Sequence, residues 1–559
     1  MASPVEGEKQ PETGAPAGGP VVRHPYLDAP ETIQPGERIA VTVALTLDPL
    51  TPGVTAKAAP GGKLTTEGAL ELPLPADAES WPIDVDLIAP GFDAADGEPL
   101  QRRIVLYRDN DSDFARFDLT LRSDAVTGTT RRLAARFYHA GRFLGSAARP
   151  VVVAGNGQPA QPSALSSSGP MAQGEAIDLD VGGSVPDMDV LVQFEDPARP
   201  RHAAVYIHSP HIAGAIVGSF DLPDDAVGWI EANYAQMVTL GSRLRSASSL
   251  TAAADGDPAA QRKRIVAFAE GFGDQLYRRY TPREFRQVFV QLRAEKRLSS
   301  LLVSSNSPAF PWELVFAPGG DGEPGGFLGI TYRIGRWTPR DDGGLSDRPG
   351  GEIVFNGVAA VAPHYAGRQA LPFQQREIDA LSALSGFDAI GGDYAAFEAL
   401  VRDPVGRFVH FSGHGAIGDP LAGEAPFAIL LEDERIDPTT WRRIAGAADP
   451  ARRPFYFFNA CDSGAAKVMG GFVQGWGATV LESGAGGFIG GMWPLSDETA
   501  ATFAAEYYAR LVGGLAADRV RIADVLREVR RGFYATGDPT YLAYTFYGDP
   551  NLTVIRQQP

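Results

Sequence analysis

The first part of the chain alternates between apolar and polar positions. Arg38-Ile-Ala-Val-Thr-Val-Ala-Leu-Thr46 and Ile83-Asp-Val-Asp-Leu-Ile88 largely repeat with period two, and Phe114–Leu121 carries an apolar face of Phe117, Leu119 and Leu121. Short apolar runs follow at Arg103–Tyr107, Leu133–Tyr138 and Val151–Val153, with Pro, Gly, Asp and Asn between them. This spacing predicts an all-β sandwich over 21–155. No cluster of titratable groups stands out inside it. Its expected role is recognition or assembly, with a plain spacer as the alternative. Residues 1–20 are rich in Pro, Gly and Glu and read as a disordered tail, and 156–175 read as a flexible linker.

The rhythm changes beyond the linker. Strands are expected around Ile177–Val181, Asp189–Phe194 and Ala203–His208, with helices at Ala226–Ser246, Ala259–Tyr280 and Thr281–Arg297. Residues 176–258 therefore read as an α/β connecting region. Leu298–Ser304 is a strand, and Phe310–Phe316 and Phe327–Ile334 look strand-like. From Glu352 strands and helices alternate. The strands are Ile353–Val361, Phe387–Ile390, Arg407–Ser412, Ala428–Leu431, Pro454–Phe458 and Gly487–Trp493. The helices are Leu371–Leu384, Tyr394–Val401 (opened by Asp393 as a cap), Pro438–Ala445, Gly464–Gly470, Gly475–Leu481, Asp497–Val512 and Arg519–Tyr534. Such alternation predicts a mostly parallel sheet with helices on both faces, in one domain over 259–559. Sites in such sheets gather at the carboxyl ends of the strands.

Two strand ends carry chemistry. Arg407-Phe-Val-His-Phe-Ser-Gly-His-Gly415 runs into a glycine-flanked turn that presents His414, and Phe455-Tyr-Phe-Phe-Asn-Ala-Cys-Asp-Ser-Gly464 ends in Cys461, the single cysteine of the chain. A thiol and an imidazole so placed are the parts of a nucleophile and its base, because the imidazole supplies the thiolate that a free thiol lacks at neutral pH. The amides of Gly415 and Cys461 are candidate oxyanion donors. His410, between Val409 and Phe411, is expected to be a core histidine. His202, His208 and His211 could hold a metal, but no paired acidic ligand is evident, and hydrogen-bonded histidines are the expectation.

Composition narrows the classes. The net charge is 50 − 68 = −18, which argues against a nucleic-acid surface or docking on anionic lipid. One cysteine forms no internal disulfide. No signal-peptide core and no apolar run of about 18 residues is found, so no membrane span and a cytoplasmic location are expected. No cofactor is expected.

His410-Phe-Ser-Gly-His414-Gly with Asn459-Ala-Cys461-Asp-Ser-Gly resembles the CHAT domain of the caspase-like (clan CD) cysteine peptidases. Pro311-Trp-Glu-Leu-Val315 resembles that family's upstream strand, Gly490-Gly-Met-Trp-Pro-Leu-Ser-Asp497 the strand and loop after the nucleophile, and Phe546-Tyr-Gly-Asp-Pro550 its terminal motif. The resemblance covers roughly 260–559. It implies a caspase-like α/β/α sandwich and a cysteine endopeptidase with Cys461 as nucleophile and His414 as general acid/base. It also implies a partner protein as substrate in a bacterial defence or regulated cell-death setting. A regulatory protein or activator would act through the N-terminal region.

Trp493-Pro-Leu-Ser-Asp497 also resembles the separase segment Trp-x-x-Thr-Asp, whose Asp faces a P1 arginine. Carried over, it makes Asp497 an S1 residue, with cleavage after a basic P1. The alternative is that Asp497 caps the helix behind it. Asn459 and Asp462 are further S1 candidates, although metacaspases carry Asp where this chain has Asn459. A non-catalytic caspase-fold adaptor and a transpeptidase are the competing readings of the whole. The loops 317–325, 338–351 and 416–426 are candidate processing or gating segments.

Overall fold

In a computed structural model the described residues run from Val21 to Arg556, except 49–54, 59–62, 65–69, 73–77, 90, 95–99, 140–141, 155–184, 195–200, 213–215, 250–257, 306–309, 321–323, 338–350, 405–406, 417–426, 446–452, 461–469, 494, 517–518 and 538–541. The expected tail, the linker, the Ile177–Val181 strand, most of two candidate loops, and Cys461 and Asp462 fall outside them.

The N-terminal part is built of two sheets. One orders its strands Lys63–Leu64, Leu70–Leu72, Val21–Asp28, Arg38–Thr46, Ala115–Leu121 and Phe92–Ala94. The other runs Thr32–Ile33, Arg142–Val153, Thr130–His139, Ser80–Ile88 and Gln101–Tyr107. The period-two pattern does what it should. Val41, Val43, Phe117 and Leu119 of the first sheet share one buried cluster with Ile83, Val85, Leu133 and Phe137 of the second.

The α/β part is organised on one sheet of 11 strands. In order these are Ile216–Asp221, His202–His208, Met188–Gln193, Ser300–Ser305, Arg333–Trp337, Tyr544–Tyr547, Gly487–Gly491, Phe455–Ala460, Phe408–Gly413, Val358–Val361 and Asp388–Ile390. The first three come from the expected connecting region, so the sheet is not confined to 259–559. Met188–Gln193 pairs in parallel with Ser300–Ser305, a long-range pairing that periodicity cannot assign. The last five strands in that order are joined by parallel pairings throughout.

The aromatic run Phe455-Tyr-Phe-Phe458 shows how the layers form. Successive side chains of a strand point to opposite faces. Phe457 meets Tyr507 and Tyr508 of the Asp497–Leu515 helix on one face. Tyr456 and Phe458 meet Trp441 of the Pro438–Ala445 helix on the other, and Phe458 also meets Trp476 of the Gly470–Glu482 helix. The N-terminal part joins this assembly through Ile88, Leu191 and Tyr206. There Tyr138 stacks on His208 at 3.6 Å, and His208 pairs with buried Asp86.

Several expectations change. Phe310–Phe316 is not a strand. Pro311 donates no ladder hydrogen bond, and Trp312–Leu314 forms a 3-10 turn before the two-residue strand Phe316–Ala317. Phe327–Ile334 is broken by the short helix Leu328–Thr331. Arg519–Arg521 is a strand paired with Thr553–Arg556, and the helix begins at Ile522. The Asp393 cap is present, its carboxylate accepting the Ala396 N–H at 3.1 Å. His202, His208 and His211 each bond a separate aspartate (Asp221, Asp86 and Asp187), and no group of three or more possible metal ligands occurs among the described residues.

Candidate active site

The chain enters the site at a reversal of the sheet. From Val358–Val361 it passes outward to Asp388–Ile390, then returns to the other side of Val358–Val361 as Phe408–Gly413 and continues to Phe455–Ala460 and Gly487–Gly491. The crevice between the first and third of these strands is the topological switch point, where the carboxyl ends splay apart. His414 leaves the sheet at this place. Gly413 is in register with Ala460, so the chain positions of His414 and Cys461 follow one rung of adjacent parallel strands.

The His414 ring is half-buried and held on two sides. Nε2 lies 2.7 Å from the main-chain oxygen of Gln369. A carbonyl only accepts, so Nε2 carries a proton, and in the neutral ring Nδ1 keeps its lone pair. Tyr365 packs its ring against the imidazole, with centroids 4.5 Å apart. Its hydroxyl accepts the His414 N–H at 3.1 Å and donates to the Leu430 oxygen at 2.7 Å. The Leu430 N–H in turn donates to the His414 oxygen at 3.0 Å. The hydroxyl thus stands where a direct backbone rung would be. This explains Gly413, since a Cβ there would lie 2.5 Å from the Tyr365 hydroxyl. Burial above all pushes the Tyr365 hydroxyl up to about 12, so it remains a donor across the neutral range. Tyr365→Phe should strand two half-buried backbone groups and destabilise the fold by about 1 kcal/mol in urea unfolding. An unchanged midpoint would refute that account of the hydroxyl.

The next residue, Gly415, faces Ile429 in the antiparallel pairing. Because the His414–Leu430 pair carries the rung, Gly415 falls in the alternate pair, and its N–H points away from that neighbour.

Asp497 is not the cap of its helix. Ser496 takes that role, accepting the Thr499 N–H at 3.2 Å. Asp497 sits in the first turn, and its Oδ2 accepts the Phe373 N–H at 2.7 Å, at the start of the Gln374–Ser382 helix. One carboxylate therefore ties two helix N-termini together. Burial, the largest influence, holds the Asp497 carboxyl above its ordinary value, against the Phe373 N–H. Glu377 adds to the rise and His414 opposes it, so all three groups share one field.

Asn459 is engaged within the core. Its Nδ2 donates to Glu377 Oε1 at 2.6 Å, and its Oδ1 accepts the Tyr544 hydroxyl at 2.6 Å. His410 is buried, as expected, but it is not surrounded only by hydrocarbon. Its Nε2 donates to Glu377 Oε1 at 2.7 Å, and its Nδ1 lies 3.4 Å from the Tyr508 hydroxyl. Ser412 Oγ donates to Glu377 Oε2 at 2.8 Å. Sequence reasoning gave Tyr365, Gln369 and Glu377 no role. Only Glu377 left a sign, a carboxylate on the buried side of a helix four residues before Leu381.

The span 272–543 matches the CHAT domain family, so the resemblance read from the motifs holds there. The match includes the positions of His414, Cys461 and Asp497 and ends before Phe546-Tyr-Gly-Asp-Pro550. No curated protein sequence matches the chain significantly. Similar solved structures include the Saccharomyces cerevisiae separase–securin complex, at 11% identity and TM-score 0.36, covering 66% of this chain and 30% of that one. The complex of Porphyromonas gingivalis RgpB pro- and mature domains has 11% identity and TM-score 0.28, covering 59% of this chain and 78% of that one. No helix among the described residues is long and apolar enough to cross a membrane.

Proposed function

We propose that this chain is a caspase-like cysteine endopeptidase acting on a partner protein, with Cys461 as nucleophile and His414 as general acid/base. The observation that carries this reading is the state of His414. Its Nε2 proton is committed to the Gln369 carbonyl, so Nδ1 is the atom free to exchange a proton. In the reaction Nδ1 of His414 takes the Cys461 thiol proton, the thiolate attacks the scissile carbonyl, and the Gly415 and Cys461 amides receive the oxyanion. His414 protonates the leaving amine, then takes a proton from the water that releases the acyl group. The division of the chain is proposed as a β-sandwich over 21–155, a linker over 156–175, and an α/β remainder that contains the peptidase. A regulatory partner would act through the sandwich. A bacterial defence or cell-death setting fits this reading.

Asp497 is proposed as the S1 residue, its second oxygen meeting a basic P1 side chain. A peptide library varied at P1 tests the whole. Turnover after Arg or Lys is expected, and Asp497→Asn should lower it at least about 30-fold relative to other P1 residues, the loss of about 2 kcal/mol for a desolvated charge pair. The preference should fade on acidification at a pH higher than an ordinary aspartate would give, because burial raises the carboxyl. Folding has the opposite sign. A raised acid costs stability while ionised and regains it as pH falls, so Asp497→Asn should not lose stability near neutrality. Cleavage of no library member would overturn the endopeptidase, and cleavage only after aliphatic P1 residues would overturn the Asp497 pocket.

A further inference from the structure

Glu377 is buried at 2% exposure, yet it contacts two different strands through polar bonds. His410 and Ser412 lie on the Phe408–Gly413 strand, and Asn459 lies on the Phe455–Ala460 strand. Ser412 and Asn459 are partners in one rung, next to the final rung of Gly413 and Ala460. One carboxylate therefore spans the last described rungs of both strands. Ser412 precedes His414 by two residues, and Asn459 precedes Cys461 by two. We propose that Glu377 is a positioning residue for these two strand ends, fixing the separation and tilt at which they deliver the His414 imidazole and the Cys461 thiol; this rests on the catalytic reading above.

The donor set supports a mechanical coupling. All three partners point hydrogens at the carboxylate, which is acceptor-only when ionised and has lone pairs for all of them. Strand ends fray where a ladder stops, and the last described rung here directly precedes the chain positions of the reacting groups. The same helix braces the site twice more. Gln374 Nε2 donates to the Ser412 oxygen at 2.7 Å and to the Pro363 oxygen at 3.2 Å. Phe373 N–H is the group that Asp497 accepts. The start of this helix thus touches the His414 strand, the strand before Cys461 and the proposed S1 aspartate. Glu377 is the residue that joins the two strands to one another. Misplacing reacting groups by about 1 Å costs roughly 100-fold in rate, so a loosened brace should be visible in turnover.

The test uses the full chain with Glu377→Ala, Glu377→Gln and, as a control, Leu381→Ala, which removes buried volume from the same helix without touching the polar bonds. Glu377→Ala should lower kcat about 10- to 100-fold with KM little changed. Glu377→Gln, which keeps an acceptor for His410 and Asn459, should restore most of it. Leu381→Ala should lower the melting temperature but leave kcat of the folded enzyme near the native value. The second readout needs no substrate. Cys461 is the only thiol, so the pH dependence of iodoacetamide alkylation reports its pairing with His414 directly. That profile should move alkaline by about one unit in Glu377→Ala. If Glu377→Ala fails to fold, Ser412→Ala, which removes one of the three bonds, should move it in the same direction by less. Native kcat and a native alkylation profile in these variants would overturn the proposal. So would a kcat loss in Leu381→Ala equal to that in Glu377→Ala. A native chain that cleaves no peptide would instead remove the peptidase reading, and the alkylation profile would still decide the positioning role.

Discussion

Cys461→Ala should abolish peptide cleavage, and His414→Ala should lower kcat/KM by about 100- to 10,000-fold, the range general acid–base catalysis supplies. The two losses differ in kind. Without the thiol no acyl-enzyme forms. Without the imidazole the thiol remains, but at an unperturbed value of about 8.5 it is mostly protonated near neutrality. Raising the pH should therefore recover part of the acylation rate in His414→Ala and none in Cys461→Ala. Burst kinetics with an ester substrate would separate the steps, because an ester leaving group needs little help from a proton donor, whereas an amide needs it fully. The ester rate should fall less than the amide rate in His414→Ala. Equal losses for both, or retention of more than about a third of the native amide rate, would remove His414 from the proton-transfer role.

The environment of His414 makes this a test of position as well as of residue type. The Gln369 carbonyl fixes the tautomer, and Tyr365 holds the backbone beneath the ring. A substitution that spared the imidazole but shifted the 367–369 turn would present the wrong nitrogen. The Gln369 interaction also explains why the site was only half legible in the sequence. Side-chain chemistry at strand ends can be read: a histidine between glycines, a lone cysteine after four aromatics, an aspartate before a helix. A main-chain oxygen contributed from 45 residues upstream carries no signature, because every residue has one.

The fold divides along the same line. Elements set by local pattern appear where periodicity puts them, including the Tyr394–Arg402 helix with its Asp393 cap and the Phe408–Gly413 strand. Elements set by distant partners do not. Arg519–Arg521 reads as helix until Thr553–Arg556 pairs with it, and the strand expected at Asp189–Phe194 is present as Met188–Gln193, but its own pattern does not say that it joins the main sheet beside Ser300–Ser305. Asn459 follows the same rule. At the end of a strand it reads as a pocket residue, but Glu377 and Tyr544 take both ends of its amide.

Glu313→Gln should be among the most destabilising single changes in the α/β part, at about 3–5 kcal/mol in urea unfolding, because it leaves a buried guanidinium without its counter-charge. Glu313 lies in Pro311-Trp-Glu-Leu-Val315 and is fully buried. It receives Arg336 Nε at 2.9 Å and further bonds from Arg336 Nη2 and Thr545. Arg336 is itself 3% exposed. Arg530 lies close by, donating to the Gly329 oxygen at 3.0 Å and the Tyr544 oxygen at 2.6 Å, and it also faces the Glu313 charge. Burial alone would push the Glu313 carboxyl up. The Arg336 guanidinium, helped by Arg530 and Thr545, reverses this and holds it below its ordinary value. The sign of the pH effect follows. A depressed acid contributes stability above its unfolded value and loses it as pH falls through the lower folded value. The native chain should therefore lose stability in acid from this pair, and Glu313→Gln should show a flatter profile there. Replacing both partners with apolar residues, Glu313→Leu with Arg336→Met, should recover part of the loss, because a buried pair costs most when only half is removed, while buried Arg530 still loses the Glu313 charge it faces. A single variant as stable as the native chain, or a double variant no better than the single, would show that the pair does not hold the Arg333–Trp337 strand against the Trp312–Leu314 turn.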